Sequence, residues 1–151
     1  MGDQRICEFG FPGALRDRLV EAVLDGSKTA TSSLLAEWEA DGDAPPVPGE
    51  RETVVDSTGK PVATIEIVAV DVIRLADADD RLALAEGESY DTAAGWRAEH
   101  ERFWREEVLP AWPAPHDPPR IDDDTQVLVQ WFRLAGSAQP PTAPAARAPG
   151  A

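Results

Sequence analysis

Gly26-Ser27-Lys28-Thr29-Ala30-Thr31-Ser32-Ser33 is the stretch around which the chain is organised, because it gathers five hydroxyl side chains around one lysine. Lysine is scarce, since twelve of the 14 basic residues are arginine and only Lys28 and Lys60 are lysine. A compact ammonium suits chemistry that needs a titratable group, which a guanidinium does not provide. The stretch is therefore a candidate site, although its spacing alone favours a polar loop whose hydroxyls cap the neighbouring helices.

The pattern on both sides of this stretch predicts a mixed fold. A helix opens at Pro12-Gly13 and ends at Gly26, where glycine is typical of a left-handed helix end. Strands are predicted at 52–55, 61–75 and 125–134, a short helix at 34–41, and two more helices at 77–85 and 92–107. Hairpins with helices grouped around them indicate an α+β fold, with a small, strongly bent sheet closed into a barrel. Residues 1–135 form one domain, and the Pro/Ala-rich segment 136–151 is predicted to be a disordered tail.

The bulk composition excludes several classes of protein. No run of about 18 apolar residues occurs, so we expect no membrane span. The N-terminus lacks an apolar signal region, and the single Cys7 suits a reducing compartment, so a cytoplasmic location is expected. With one cysteine and two histidines we expect no metal site, and no cofactor is implied. The oligomeric state is not determined by the sequence.

The charge balance restricts the ligand. All 28 acidic residues and 13 of the 14 basic ones precede residue 136, so the predicted domain carries a net charge of −15. Such a surface repels a polyanion and gains little affinity from counterion release. A nucleoside or a short RNA bound in a local pocket fits this charge better than a long RNA.

Two kinds of side chain near the stretch point to chemistry. Lys28 follows Ser27 rather than glycine, which excludes a P-loop. A desolvated lysine can instead take a proton from a hydroxyl, and Thr31 is three positions away. A carboxylate would hold the ammonium, and the candidates are Glu86 and Glu88 on either side of Gly87, and Glu66 if it points inward from its strand. Each of these glutamates is also typical of a solvated surface.

Aromatic residues supply candidate stacking surfaces for a base. Trp96, Arg97 and His100 lie on the predicted helix 92–107, and Trp38 follows the hydroxyl stretch. A nucleobase can stack on such rings, and an arginine can meet a phosphate or stack as well. The same pattern also describes an ordinary apolar core face with a hydrogen-bonded histidine.

Four segments, in order, resemble the longer bacterial branch of the ASCH domain family. The hydroxyl stretch is similar to its Gly-x-Lys-x-x-Thr-x-Arg/Ser signature. Phe9-Gly10, Pro48-Gly49-Glu50, and Ala85-Glu86-Gly87-Glu88 leading to Trp96-Arg97-Ala98-Glu99-His100 supply the other three. The resemblance spans roughly residues 8–134, with Ser32-Ser33 where smaller members often carry an arginine.

The resemblance implies a PUA-like β-barrel flanked by helices and a role in binding RNA or modified nucleotides. Some small members are amidohydrolases acting on N4-acetylcytidine with a lysine, a threonine and a glutamate. Carried over, these catalytic residues are Lys28, Thr31 and Glu88, with Glu86 as the second choice for the carboxylate. We expect the substrate to contact a wider set of residues: Thr29, Ser32, Trp38, Glu66, Glu86, Trp96, Arg97 and His100. The alternatives are a ribonuclease of this family and a non-catalytic reader of RNA or a modified nucleotide.

Overall fold

The computed structural model describes residues 4–137, and within them the chain forms five strands and four helices. In chain order these are β1 (Arg5–Cys7), α1 (Ala14–Asp25), β2 (Ala30–Leu34), α2 (Leu35–Asp41), β3 (Arg51–Val55), β4 (Pro61–Arg74), α3 (Asp80–Ala85), α4 (Ala93–Phe103) and β5 (Gln126–Ser137). A short π-helical turn, Trp104–Val108, continues α4. The predicted α+β class is confirmed.

The sheet is curled because its longest strand bends. The strand order is β1-β3-β4-β5-β2, with β1 parallel to β3 and every other pair antiparallel. The register of β4 against β5 shifts between Thr64 and Ile65 and again between Ile67 and Ala69. Such irregularities bend a strand and increase its twist, so the five strands wrap into a half-barrel.

Two apolar clusters pack against the sheet. One packs α1 against β3, β4 and β5 and includes Leu19, Val23, Ile65 and Ile67. The other packs α3 and α4 against β2 and β5 and is dominated by the fully buried ring of Trp96. The hydroxyl stretch joins α1 to β2 and therefore lies between the two clusters.

Local sequence signals located several elements well. Gly26 ends α1 with φ 86°, and its N–H donates to the carbonyl of Val23 at 3.2 Å, as the helix-end prediction requires. Strand β5 extends to Ser137 and so includes the first two residues of the segment predicted to be a disordered tail, and the rest of that segment lies outside the described residues. Among residues 4–137 we find no helix that is both long and apolar enough to cross a membrane.

Candidate functional site

Lys28 is buried at the point where α1 gives way to β2. Its backbone N–H donates to the carbonyl of Ala22 at 3.0 Å, which turns the side chain inward, and only 2% of the residue is exposed. The ammonium Nζ donates to the carbonyl oxygens of Ala30 at 2.9 Å and Glu86 at 3.2 Å, and to Glu86 Oε1 at 3.4 Å. An ammonium has three protons, so these three acceptors use all of them.

Glu86 is the centre of the polar network. It is 1% exposed, and its Oε2 accepts hydrogen bonds from Ser32 Oγ and, at 2.9 Å, from Trp96 Nε1. Its Oε1 lies 3.4 Å from Lys28 Nζ and 3.5 Å from His100 Nε2. Burial alone raises the pKa of Glu86, but the charges of Lys28 and His100 outweigh it and lower the pKa to about 2.

The carboxylate that holds Lys28 is therefore Glu86, which corrects the expectation that Glu88 does so. Glu88 accepts a hydrogen bond from the Tyr90 hydroxyl at 2.8 Å instead. Glu66 is on the outer face of β4, where it pairs with Arg133 at 2.8 Å, so it does not face Lys28 either.

His100 is fixed in orientation by helix α4. Its Nδ1 lies 2.9 Å from the carbonyl of Trp96, and its ring stacks on the Trp96 indole with centroids 4.3 Å apart. Since the carbonyl needs a donor, Nδ1 carries a proton and Nε2 faces Glu86. Burial disfavours the charged imidazole, but Glu86 outweighs it, and the pKa of His100 is raised.

Two residues of α4 that were predicted to stack on a base or bind a phosphate contact other parts of the protein instead. The Trp96 side chain is wholly buried, so a base cannot stack on its ring. Its indole N–H donates a hydrogen bond to Glu86 and thereby supports the polar network. Arg97 points away from the network and pairs with Glu101 and, at 2.8 Å, with Asp123. The expected contacts of Trp96 and Arg97 with substrate are thus corrected, because packing of α4 against the sheet decided which side each residue faces.

An open cleft of about 980 Å³ lies over this network. The predicted residues that line it are Lys28, Thr31, Ser32, Trp38, Glu86, Glu88 and His100. Those that do not are Thr29, Glu66, Trp96 and Arg97. Thr29 is exposed, and its backbone N–H donates to the carbonyl of Ala85 at 2.7 Å, so its contribution is to fasten β2 to the end of α3.

Thr31 lines the cleft from β2 but is not among the hydrogen-bond partners of Lys28. Trp38 forms part of the wall, half-buried, with its N–H donated to Ser33 Oγ at 2.9 Å and the guanidinium of Arg5 5.5 Å from its ring centroid. Of the predicted aromatic residues, Trp38 is thus the one left with a position suited to stacking.

Sequence reasoning missed an aromatic pair and a carboxylate at the cleft. Phe11 and Phe103 both line it, with ring centroids 5.7 Å apart, and join the loop before α1 to the end of α4. Glu52, from β3, is a second buried carboxylate in the wall. The Phe9-Gly10-Phe11 segment was a usable signal for the first, whereas Glu52 has no local signal because alternation alone does not say which side of a strand is buried.

Three side chains are close enough to offer ligands to a cation. One oxygen each from Glu86 and Glu88 and one nitrogen of His100 lie within 4.8 Å of one another. A cation there would compete with Lys28 for Glu86, whose two oxygens already face four donors. The side chains of the network therefore compensate the negative charge of Glu86 themselves.

Comparisons with known proteins agree with this fold. The family model described as ASCH domain matches residues 5–135. A crystal structure of an Enterococcus faecalis V583 protein of the family DUF984 superposes with a TM-score of 0.79 at 26% identity, covering 92% of this chain and 80% of that one. The crystal structure of an ASCH domain from Lactobacillus crispatus JV V101 gives 0.75 at 22% identity, covering 87% and 79%. No curated protein matches the sequence.

Proposed function

The chain belongs to the ASCH domain family, whose PUA-like fold is associated with RNA binding, and on that premise we propose that its cleft binds a nucleoside derived from RNA and hydrolyses the N4-acyl amide of an acylated cytidine. The observation that carries the proposal is the buried ion pair between Lys28 and Glu86 at 3.4 Å on the floor of the cleft. A buried charge pair of this kind is costly to keep and is characteristic of functional sites.

The size and charge of the cleft support a nucleoside over a polymer. A volume of about 980 Å³ holds a small molecule with room to spare. Its lining contains ten carboxylates against five arginine and lysine side chains. A polyanionic backbone would be repelled there, whereas a nucleoside carries no phosphate. The same charge disfavours the ribonuclease alternative.

The hydrolytic step assigns roles to three residues. Thr31 Oγ1 attacks the acyl carbon, or aligns the water that does, while Lys28, after losing one proton to solvent, takes up the proton of the attacking hydroxyl. The bond between the acyl carbon and N4 then breaks as Lys28 passes this proton to N4, and cytidine leaves. Where Thr31 is the nucleophile, water then cleaves its acyl ester, which releases a carboxylic acid and restores the Thr31 hydroxyl. Glu86 takes the role that the family resemblance gave to Glu88.

A second candidate, a non-catalytic reader of a modified nucleoside, is favoured by one specific observation. All three protons of Lys28 are already donated, and none goes to Thr31. In this resting arrangement Lys28 is a donor and not a base. A reader needs no change in these contacts, whereas the enzyme needs the ligand to displace one of them.

Hydrolysis of N4-acetylcytidine tests the proposal. The wild type is compared with Lys28→Ala, Thr31→Val and the exposed-lysine control Lys60→Ala, with folding checked by circular dichroism. We expect cytidine and acetate from the wild type and Lys60→Ala only. Equal turnover by all four proteins would refute the assignment of the site.

Binding without turnover would separate the reader from the enzyme. Calorimetry with N4-acetylcytidine, followed by mass spectrometry of the recovered ligand, shows whether it leaves unchanged. An unchanged ligand supports the reader. RNA cleavage that is lost in Lys28→Ala and fades with salt would instead support the ribonuclease.

A further inference from the structure

Glu52 is a carboxylate of the cleft that the proposed reaction does not use. It lies on β3 with its side chain on the same inward face as that of Val54, and only 3% of the residue is exposed. Its Oε2 has no hydrogen-bond partner within residues 4–137. Buried carboxylates are normally paired, because an unpaired one costs its full desolvation.

Two neighbours of Glu52, the guanidinium of Arg5 and the Cys7 thiol, oppose the effect of burial on its pKa, but neither gives Oε2 a hydrogen bond. Arg5 stands opposite Glu52 in the pairing of β1 with β3, and its charge lowers the pKa of Glu52. However, the guanidinium of Arg5 donates to the carbonyl of Ala44 at 2.9 Å and lies near the ring of Trp38. Arg5 thus compensates part of the charge without satisfying the oxygen.

Glu52 Oε2 differs from an ordinary unsatisfied buried atom because its residue lines the cleft. Among the described residues, the other buried side-chain atom without a partner is Trp112 Nε1, and Trp112 does not line the cleft. Glu52 does. Burial and the Glu52 carboxylate raise the pKa of the Cys7 thiol and the charge of Lys28 lowers it, so both charged groups act on the same cysteine.

We propose that Glu52 is the base-recognition residue of the cleft, whose Oε2 accepts a hydrogen bond from an amino or ring N–H of the bound nucleobase. This inference rests on the proposed function, because it takes the ligand of the cleft to be a nucleoside. Carboxylates accept from the N4 amino group of cytosine in other nucleic-acid complexes, so the pairing has sound chemistry.

The environment of Glu52 also favours a base over a cation. Burial raises the pKa of Glu52, so the carboxyl group holds a proton at higher pH than an exposed glutamate does. A protonated carboxyl donates one hydrogen bond and accepts another. The amino group and ring nitrogen of an aminopyrimidine present the complementary donor and acceptor side by side.

Calorimetry with two nucleosides tests this role. Cytidine and its analogue without the 4-amino group, pyrimidin-2-one riboside, are titrated into the wild type, Glu52→Gln, Glu52→Leu and Glu66→Gln. Glu66→Gln is the matched control, because Glu66 lies on the adjacent strand but outside the cleft. We expect the wild type and Glu66→Gln to prefer cytidine about 10- to 100-fold, and Glu52→Leu to lose that preference.

Thermal unfolding supplies a second, independent reading. Removing an unpaired buried carboxylate relieves desolvation, so Glu52→Gln and Glu52→Leu are expected to unfold at or above the wild-type temperature. If Glu52 is a recognition residue, replacing it therefore lowers the selectivity of the protein for cytidine without lowering its stability. A drop of several degrees in both variants would make Glu52 a structural residue and overturn the inference.

The outcomes also distinguish this inference from the proposed function. If the wild type binds cytidine and Glu52→Leu keeps the full preference, the inference fails and the nucleoside site stands. If the wild type binds neither nucleoside, both fail together. Loss of preference in Glu52→Leu with wild-type stability supports the inference, whether or not the protein hydrolyses N4-acetylcytidine.

Discussion

Replacing Lys28 by methionine is the sharpest perturbation of the polar network. Methionine keeps an unbranched side chain of similar length, so the packing of the stem changes little. What is lost is the ammonium, which donates three hydrogen bonds within a pocket that leaves it 2% exposed. Glu86, 1% exposed, would keep its charge with His100 as the remaining cation.

The expected loss of stability is large. Removing one partner of a buried ion pair typically costs about 3–5 kcal/mol, because the other charge stays buried without compensation. Folded domains typically have a free energy of unfolding of about 5–15 kcal/mol, so Lys28→Met should remove roughly a fifth or more of the stability. The melting temperature should fall by roughly 10 °C.

Urea unfolding followed by circular dichroism measures the effect. Lys60→Met is the control, since Lys60 is the other lysine and is exposed in the hairpin turn after β3. The double variant Lys28→Met/Glu86→Gln removes the uncompensated charge. Its loss of unfolding free energy should therefore be smaller than the summed losses of the two single variants by about 1 kcal/mol or more. A loss below about 1 kcal/mol for Lys28→Met, or no recovery in the double variant, would refute the buried-pair reasoning.

The remaining predictions concern pH, chemistry and binding. Because the folded pKa of Glu86 is depressed, stability should fall as pH drops from 4.5 toward about 2. Because the pKa of His100 is raised, stability should also fall as pH rises above 6.5, and His100→Gln should flatten that decline in urea titrations. Thr31→Val should abolish release of acetate while its calorimetric Kd stays near the wild-type value. Trp38→Ala should weaken nucleoside binding about tenfold, and Arg97→Ala should leave it unchanged, as measured by calorimetry.

The sequence predicted the elements that rest on local patterns. The apolar face of α1 and the glycine that ends it are properties of neighbouring residues, and they located the turn before Lys28 correctly. The alternation around Ile65 and Ile67 likewise identified β4. The register shifts of β4 arise in its pairing with β5, and the small bent sheet was expected from the number of strands and a bend in the long strand.

Tertiary packing decided what the sequence left open in helix α4. Trp96, Arg97 and His100 are close in the chain, and their pattern fits a ligand-facing surface as well as an apolar core face. In the fold Trp96 is packed against the sheet, Arg97 is turned toward acidic partners, and only His100 reaches the cleft. Helical periodicity assigns residues to faces but does not say what each face meets.

The choice between Glu86 and Glu88 depends on a main-chain contact at Gly87. Its φ is +68°, and a Cβ there would lie 2.7 Å from the carbonyl oxygen of Ser27 and 2.9 Å from Lys28 Cα. Since no side chain fits between these two backbones, the turn after α3 rests directly on the turn before β2, with Glu86 over the Lys28 ammonium. Glu88, on the other side of the glycine, is directed to Tyr90 instead. The sequence shows a glycine between two glutamates. Only the contact between two distant backbone segments at that glycine places Glu86, and not Glu88, beside Lys28.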